Sequence, residues 1–187
     1  MNTPNRRLFL GRSLGVAQIA AASVLLPTGA RAFTPATSAD ARRLSFNHLH
    51  TRERTALVYA WGEDFVPRAL TQLNHFLRDH YTDEVGQMDP ELYNLLHRVR
   101  RELGSTEPFH VISGYRSPAT NETLRTTRGG GVARRSLHMD GKAIDVRLPG
   151  VALTDLRDAA ISLKAGGVGY YQRDDFVHID TGRVRSW

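Results

Sequence analysis

The segment Ser136-Leu-His138-Met-Asp140-Gly141-Lys-Ala143-Ile-Asp145 restricts the folds open to this chain more than any other. Asp140-Gly141 favours a tight turn, because glycine takes positive φ at no steric cost. Lys142 to Leu148 then alternates. Ile144, Val146 and Leu148 point one way, and Ala143, Asp145 and Arg147 the other. This pattern predicts a half-buried strand with Asp145 on its polar face. The turn folds His138 back towards that carboxylate, and small Ala143 leaves room beside it. Near the C-terminus, Gly169-Tyr170-Tyr171 leads into a polar turn, Gln172 to Asp175, followed by Phe176-Val-His178-Ile-Asp180. The last five residues predict a second strand, with His178 and Asp180 on one face and Val177 and Ile179 towards the core.

His138, Asp145 and His178 together make a donor set suited to one Zn²⁺ per chain. Neutral imidazole and carboxylate both bind zinc, at about 2.0–2.2 Å. Three protein ligands leave a fourth position for water, as in catalytic rather than structural zinc sites. Zinc in such a site lowers the pKa of its water towards about 7 and polarises a carbonyl group. Hydrolysis of an amide also needs a group that accepts the water proton and returns it to the leaving amine. Asp180 is one candidate, two positions beyond His178 on the same strand face and ~6.6 Å along the chain. Its alternative role is to orient His178 through a hydrogen bond.

The pattern Ser136-x-His138-x-x-Gly141-x-Ala143-x-Asp145, the later His178-x-Asp180 and the upstream Ser113-Gly-Tyr-Arg116-Ser resemble the LAS metallopeptidases. These include D-Ala-D-Ala carboxypeptidases and dipeptidases and peptidoglycan endopeptidases. Gly166-Gly-Val-Gly-Tyr-Tyr171 and Phe176-Val-His-Ile-Asp-Thr-Gly182 are most similar to the murein endopeptidase K branch. The resemblance implies zinc held by His138, Asp145 and His178, and a substrate in the bacterial cell wall. It implies that Arg116 binds substrate and stabilises the oxyanion, a task suited to its forked guanidinium, and that Ser136 lines the cleft. It also brings in Asp175 as a second candidate base. Asp175 matches an acid-x-x-His spacing in which that group commonly has Glu.

The expected activity is hydrolysis of peptide cross-links in peptidoglycan, with the resemblance pointing to cross-links through meso-diaminopimelate. Trimming of stem peptides by a zinc carboxypeptidase or dipeptidase is the first alternative. A non-catalytic wall-binding module is the second. A serine hydrolase is disfavoured, since neither Ser113 nor Ser136 sits in a Gly-x-Ser-x-Gly elbow.

The N-terminus supports export independently. Asn5-Arg6-Arg7-Leu8-Phe9-Leu10 is a twin-arginine signature, and an apolar run from Leu14 to Leu26 precedes an Ala30-Arg-Ala32 cleavage site. Residues 1–32 are therefore read as a signal peptide that leaves the protein in the periplasm. The apolar run is shorter than the roughly 20 residues of a membrane span, so no stable anchor is expected after cleavage. The chain has no cysteine, which excludes disulfides and lipoprotein anchoring. Its net charge is +6, but residues 1–32 hold four arginines and no acid, so the remainder carries +2. With no basic stripe interleaved with aromatics, nucleic acid is not an expected partner. The expected partner is the peptidoglycan stem peptide, and a monomer is expected. Arg134-Arg135 is a candidate contact for anionic wall peptide.

After the leader, 155 of the 187 residues remain, the size of one ordinary domain. Residues 33–43 are small and polar and read as a tether, with a zinc peptidase domain at 44–187. Leu44 to His50 and Thr55 to Trp61 predict a β-hairpin. Val66, Leu70, Leu73, Phe76, Leu77 and Tyr81 recur at helical spacing. Asp89-Pro90 starts a second helix that Gly104 stops. Phe109 to Ile112 reads as a short strand, and Asp155 to Lys164 as a third helix started by Thr154 and closed by Gly166-Gly167. The fold class is α+β, a single domain in which a small, mainly antiparallel sheet carries the zinc site and packs against helices. Gly129-Gly-Gly131 lacks the Gly-Lys-Ser/Thr of a phosphate loop and is expected to flex before His138. His48 and His50 share a strand face but lack a third ligand in sequence; His75, His80, His97 and His110 are read as surface or packing residues.

Overall fold

The computed structural model describes residues 40–127 and 132–187. The predicted signal peptide, most of the tether and Gly129–Gly131 lie outside the described residues. The strands are β1 (Ala41–His48), β2 (Arg54–Trp61), β3 (Asp64–Phe65), β4 (Phe109–Ser113), β5 (Ala143–Arg147), β6 (Gly167–Tyr171), β7 (Phe176–Asp180) and β8 (Arg185–Ser186). The helices are α1 (Pro67–Phe76), α2 (Pro90–Glu102), α3 (Pro118–Thr127) and α4 (Leu153–Ser162). All eight strands form one sheet in the order β3-β2-β1-β4-β5-β7-β6-β8. Only the β1–β4 and β6–β8 pairs are parallel, so the α+β expectation of a mainly antiparallel sheet with helices holds.

The two motif strands are neighbours at the centre of the sheet. Asp145 pairs with His178, and Ala143 with Asp180. Period-two alternation puts Ile144, Val146, Val177 and Ile179 on the face that joins one continuous core with Leu73, Leu92, Leu96 and Leu156 of the helices. The opposite face presents Asp145 and His178. The sequence pattern predicts a half-buried β5, but Ala143 to Val146 are all buried. The polar face is covered by the segment bearing His138, so it is a site wall rather than a solvent face.

β1 starts at Ala41, inside the stretch read as tether, and pairs with β2 from Trp61 onward. The Arg42 side chain secures this end by donating to Asn94 Oδ1 on α2 at 2.7 Å. Helix α1 stops at Phe76, short of the Tyr81 suggested by periodicity. Asp79 breaks the pattern: its carboxylate accepts Tyr81 N–H at 2.9 Å, while its own N–H donates to Glu84 O, the local bonding by which Asp favours turns over helix. Tyr81 is exposed as a result. Helix α2 starts as read, with Asp89 Oδ1 accepting Glu91 N–H at 3.0 Å. Helix α4 starts at Leu153 from Ala152 rather than from Thr154.

Besides the two-residue strands β3 and β8, two elements have no counterpart in the sequence reading. Helix α3 buries only Thr120 and Asn121, so it leaves no apolar periodicity. Its start is nevertheless marked by Ser117-Pro118, with Ser117 Oγ accepting Thr120 N–H at 3.2 Å. Strand β6 contains Gly167, read as part of a helix stop, and Gly169, read as leading into the polar turn. Glycine is needed there because a Cβ at either position would strike Arg185 and Asp180, or the Trp187 ring.

Candidate metal centre and cleft

His138 comes from a tight loop rather than a strand. Lys142 N–H donates to Leu137 O, Gly141 N–H to His138 O, and Asp89 N–H to Gly141 O. Gly141 has φ +66°, and a Cβ there would land on the Gln87 carbonyl, so the turn anticipated at Asp140-Gly141 does require glycine. The loop aims His138 at the β5–β7 pair. His138 Nε2 lies 3.2 Å from Asp145 Oδ1 and 3.2 Å from His178 Nδ1, and His178 Nδ1 lies 2.9 Å from the same Asp145 oxygen. All three residues are buried.

The outer bonds fix which nitrogen of each ring faces inward. His138 Nδ1 donates to Gly114 O at 2.7 Å. A carbonyl can only accept, so Nδ1 carries the proton and Nε2 presents a lone pair. His178 Nε2 donates to Asp180 Oδ2 at 3.0 Å, leaving Nδ1 as the inward lone pair. Two lone-pair nitrogens and a carboxylate oxygen thus converge within hydrogen-bond distance with no proton between them. Such a cluster needs a cation at its centre. Ligands tetrahedrally arranged at about 2.0–2.2 Å from zinc lie about 3.3–3.6 Å apart, close to the observed spacing. The residues present therefore fit a divalent metal.

The electrostatics agree. Burial disfavours the His178 cation, but hydrogen bonds to Asp145 and Asp180 outweigh it and push the ring up to about 9. Without a metal, this cluster takes a proton instead. Burial lowers His138. Asp145 is held well below the usual carboxylate range, since the two imidazoles overcome the burial that would raise it.

The other sequence-selected residues divide. Arg116 Nη2 is 3.6 Å from Asp145 Oδ2, and its backbone N–H donates to His138 O. Ser136 is buried with Oγ accepting His138 N–H at 3.4 Å. Both line a cleft of about 430 Å³ that also exposes Asp145, His138 and His178. Asp180 is fully buried beneath His178. Its Oδ1 accepts Gly167 and Gly182 N–H groups at 3.0 and 2.8 Å, and Arg185 donates to both oxygens. Asp175 has φ +55° and pairs with Arg147, outside the residues that line the cleft. Arg135 lines the cleft.

Several supporting residues escape sequence reasoning. Asp79 Oδ2 accepts Ser117 N–H at 2.8 Å and so fixes the turn that carries Arg116. Only its turn-forming chemistry marks it in sequence. Trp187 packs on the His178 ring with centroids 5.3 Å apart and donates Nε1–H to Tyr171 Oη at 3.0 Å. Tyr171 in turn stacks on Phe176 at 4.6 Å. His48, His50 and His80 do come together, His50 and His80 stacking at 4.1 Å. Among the described residues, however, the only group whose ligand atoms converge for a metal is His138, Asp145 and His178.

A His-Asp-His centre at the floor of an open cleft, one imidazole from a loop and two groups from paired strands, is suited to metal-assisted hydrolysis. Residues 36–187 match the family described as peptidoglycan L,D-endopeptidase MepK, Peptidase_M15_2. The chain is similar to the peptidoglycan L,D-endopeptidase MepK of Escherichia coli K12, 42% identical over 183 residues that cover 98% of this chain and 97% of that protein. It is 41% identical over 147 residues to the probable MepK of Haemophilus influenzae Rd, covering 78% of each. The chain belongs to this peptidase family.

Proposed function

We propose that the protein is a zinc-dependent endopeptidase that hydrolyses peptide cross-links of peptidoglycan, those made through meso-diaminopimelate in particular. Residues 1–32 would direct it through the twin-arginine pathway to the periplasm, where it acts as a monomer on stem peptides without a membrane anchor. The observation that carries this reading is the convergence of His138 Nε2, His178 Nδ1 and Asp145 Oδ1 at the floor of the cleft. The MepK relatives supply the substrate class.

In this reading His138, Asp145 and His178 hold one zinc. When bound, zinc supplies a lowered pKa for the attacking water and polarisation of the scissile carbonyl. Arg116, held beside Asp145 and backed by Asn121 at 3.5 Å, presents its guanidinium to the substrate carbonyl and stabilises negative charge developing there. Ser136 shapes the wall next to His138. Asp180 acts as a positioning residue: its carboxylate keeps the His178 proton on Nε2, and so keeps the Nδ1 lone pair directed at the metal.

Digestion of purified sacculi tests the proposal. Chromatography of the released muropeptides should show loss of cross-linked dimers and gain of monomers, with one zinc per chain. Shortened stem peptides with intact dimers would indicate a carboxypeptidase instead, and an unchanged profile would indicate a binding module.

A further inference from the structure

The geometry points to Arg135 as the residue that binds the substrate carboxylate beside the scissile bond and so selects diaminopimelate cross-links. The assignment rests on the peptidase reading above. In a cross-link through diaminopimelate, the amide nitrogen sits on a carbon that also bears a free carboxylate. That anion accompanies the leaving amine wherever the scissile carbonyl meets the metal centre. A carboxylate drawn out of water needs a paired cation, and the cation has to be one that no other group has claimed.

Arg116, Arg135 and Arg185 are the arginines among the residues lining the cleft. Arg116 faces Asp145 and Asn121, in place for the oxyanion. Arg185 donates to both oxygens of Asp180 and lies over the Trp187 ring at 4.8 Å. Arg135 is exposed, and no hydrogen bond or ion pair ties its side chain to another described residue. Its neighbour Arg134 is not among the lining residues. Arg134 acts on α3 instead, where the Glu122 carboxyl is held below its usual range by hydrogen bonding to Arg125, with Arg134 adding to the effect.

The backbone on either side of Arg135 is anchored. Asn121, buried on α3, donates from Nδ2 to Ala133 O at 3.1 Å, while its Oδ1 accepts from Arg116 at 3.5 Å. Ser136 is buried, with Oγ accepting His138 N–H at 3.4 Å and its carbonyl accepting Met139 N–H at 3.0 Å. Arg135 therefore enters the cleft between a point tied to Arg116 and a point tied to His138. This roots its side chain on the wall that the oxyanion group and the metal centre share. A planar guanidinium fork with no competing acceptor is suited to a carboxylate.

The test uses the zinc-loaded protein and a pair of purified cross-linked dimers in which diaminopimelate, or lysine in its place, supplies the leaving amine. Lysine keeps the amine and lacks the carboxylate. Wild type should cleave the diaminopimelate dimer with a kcat/KM higher by about 10–100-fold, the range of a charge-assisted contact. Arg135→Gln should erase that preference by slowing the diaminopimelate dimer alone, with the lysine dimer, zinc stoichiometry and melting temperature unchanged. Arg135→Lys should keep part of the preference, and Arg134→Gln all of it. Equal loss on both dimers, or a preference that survives in Arg135→Gln, would overturn the assignment. Wild-type protein that binds zinc yet cleaves neither dimer would remove the peptidase reading and this assignment together, a result distinct from a lost preference in the variant.

Discussion

Asp180 carries a constraint that only its neighbours make visible. Four groups donate to its two oxygens, and one of them is the ring nitrogen opposite the inward-facing Nδ1 of His178. In Asp180→Asn one oxygen becomes an amide donor facing two other donors, which favours the wrong His178 tautomer. Zinc affinity should fall by about 10–100-fold, read by competition with a chelator; unchanged affinity would refute the orienting role. His48 offers a pH test away from the metal. Burial pushes it down to about 4 from 6.5, with His80 and His50 adding to the effect, and its Nδ1 accepts the His50 and Thr51 N–H groups. A depressed histidine stays neutral in the fold while the unfolded chain takes up a proton. Its contribution is therefore present above pH 6.5 and lost as pH falls towards 4, by about 3 kcal/mol. Thermal denaturation against pH should show this loss in the wild type and a flatter curve in His48→Asn, whose side-chain oxygen can replace Nδ1 as acceptor. Equal slopes would remove His48 as the cause. At this scale the convergence of His138, Asp145 and His178 was legible in sequence. The burial of Asp180 and the turning of Asp175 to Arg147 were not, because both depend on partners from other segments.

Among the elements, the loop between Ser136 and Lys142 and the β5–β7 pair do most to position the centre. Gly141→Ala should destabilise the fold by more than about 1 kcal/mol, since φ is positive and the new methyl group meets the Gln87 carbonyl. Denaturant unfolding measures this, and an unchanged midpoint would show that the loop can relax. Asp89 caps α2, and its other oxygen accepts the Thr181 hydroxyl at 2.7 Å just beyond β7. Asp89→Ala should therefore cost about 1–2 kcal/mol and also weaken zinc binding, whereas a cap alone would leave the metal untouched. Alternation and capping made the hairpin, α2, β4, β5 and β7 readable. Helix α3 was hidden because it buries only threonine and asparagine, and β6 because its glycines serve close packing against Asp180, Arg185 and Trp187.

For the whole molecule, one continuous core behind the sheet supports a polar, charge-dense cleft in front of it. The core face of β5 and β7 was evident from sequence, but burial of the opposite face was not, since it follows from the loop that covers it. Zinc bound to the native state alone would stabilise it by mass action. Chelation should therefore lower the melting temperature of the wild type and leave that of His138→Ala unchanged. The most direct test of the three-ligand centre is metal analysis with X-ray absorption spectroscopy on the purified protein, alongside His138→Ala. One zinc per chain is predicted, with two imidazole nitrogens and light oxygen donors, one of them exchangeable water, at about 2.0–2.2 Å, and loss of that zinc in the variant. A third imidazole in the zinc shell, or full metal occupancy in His138→Ala, would contradict it.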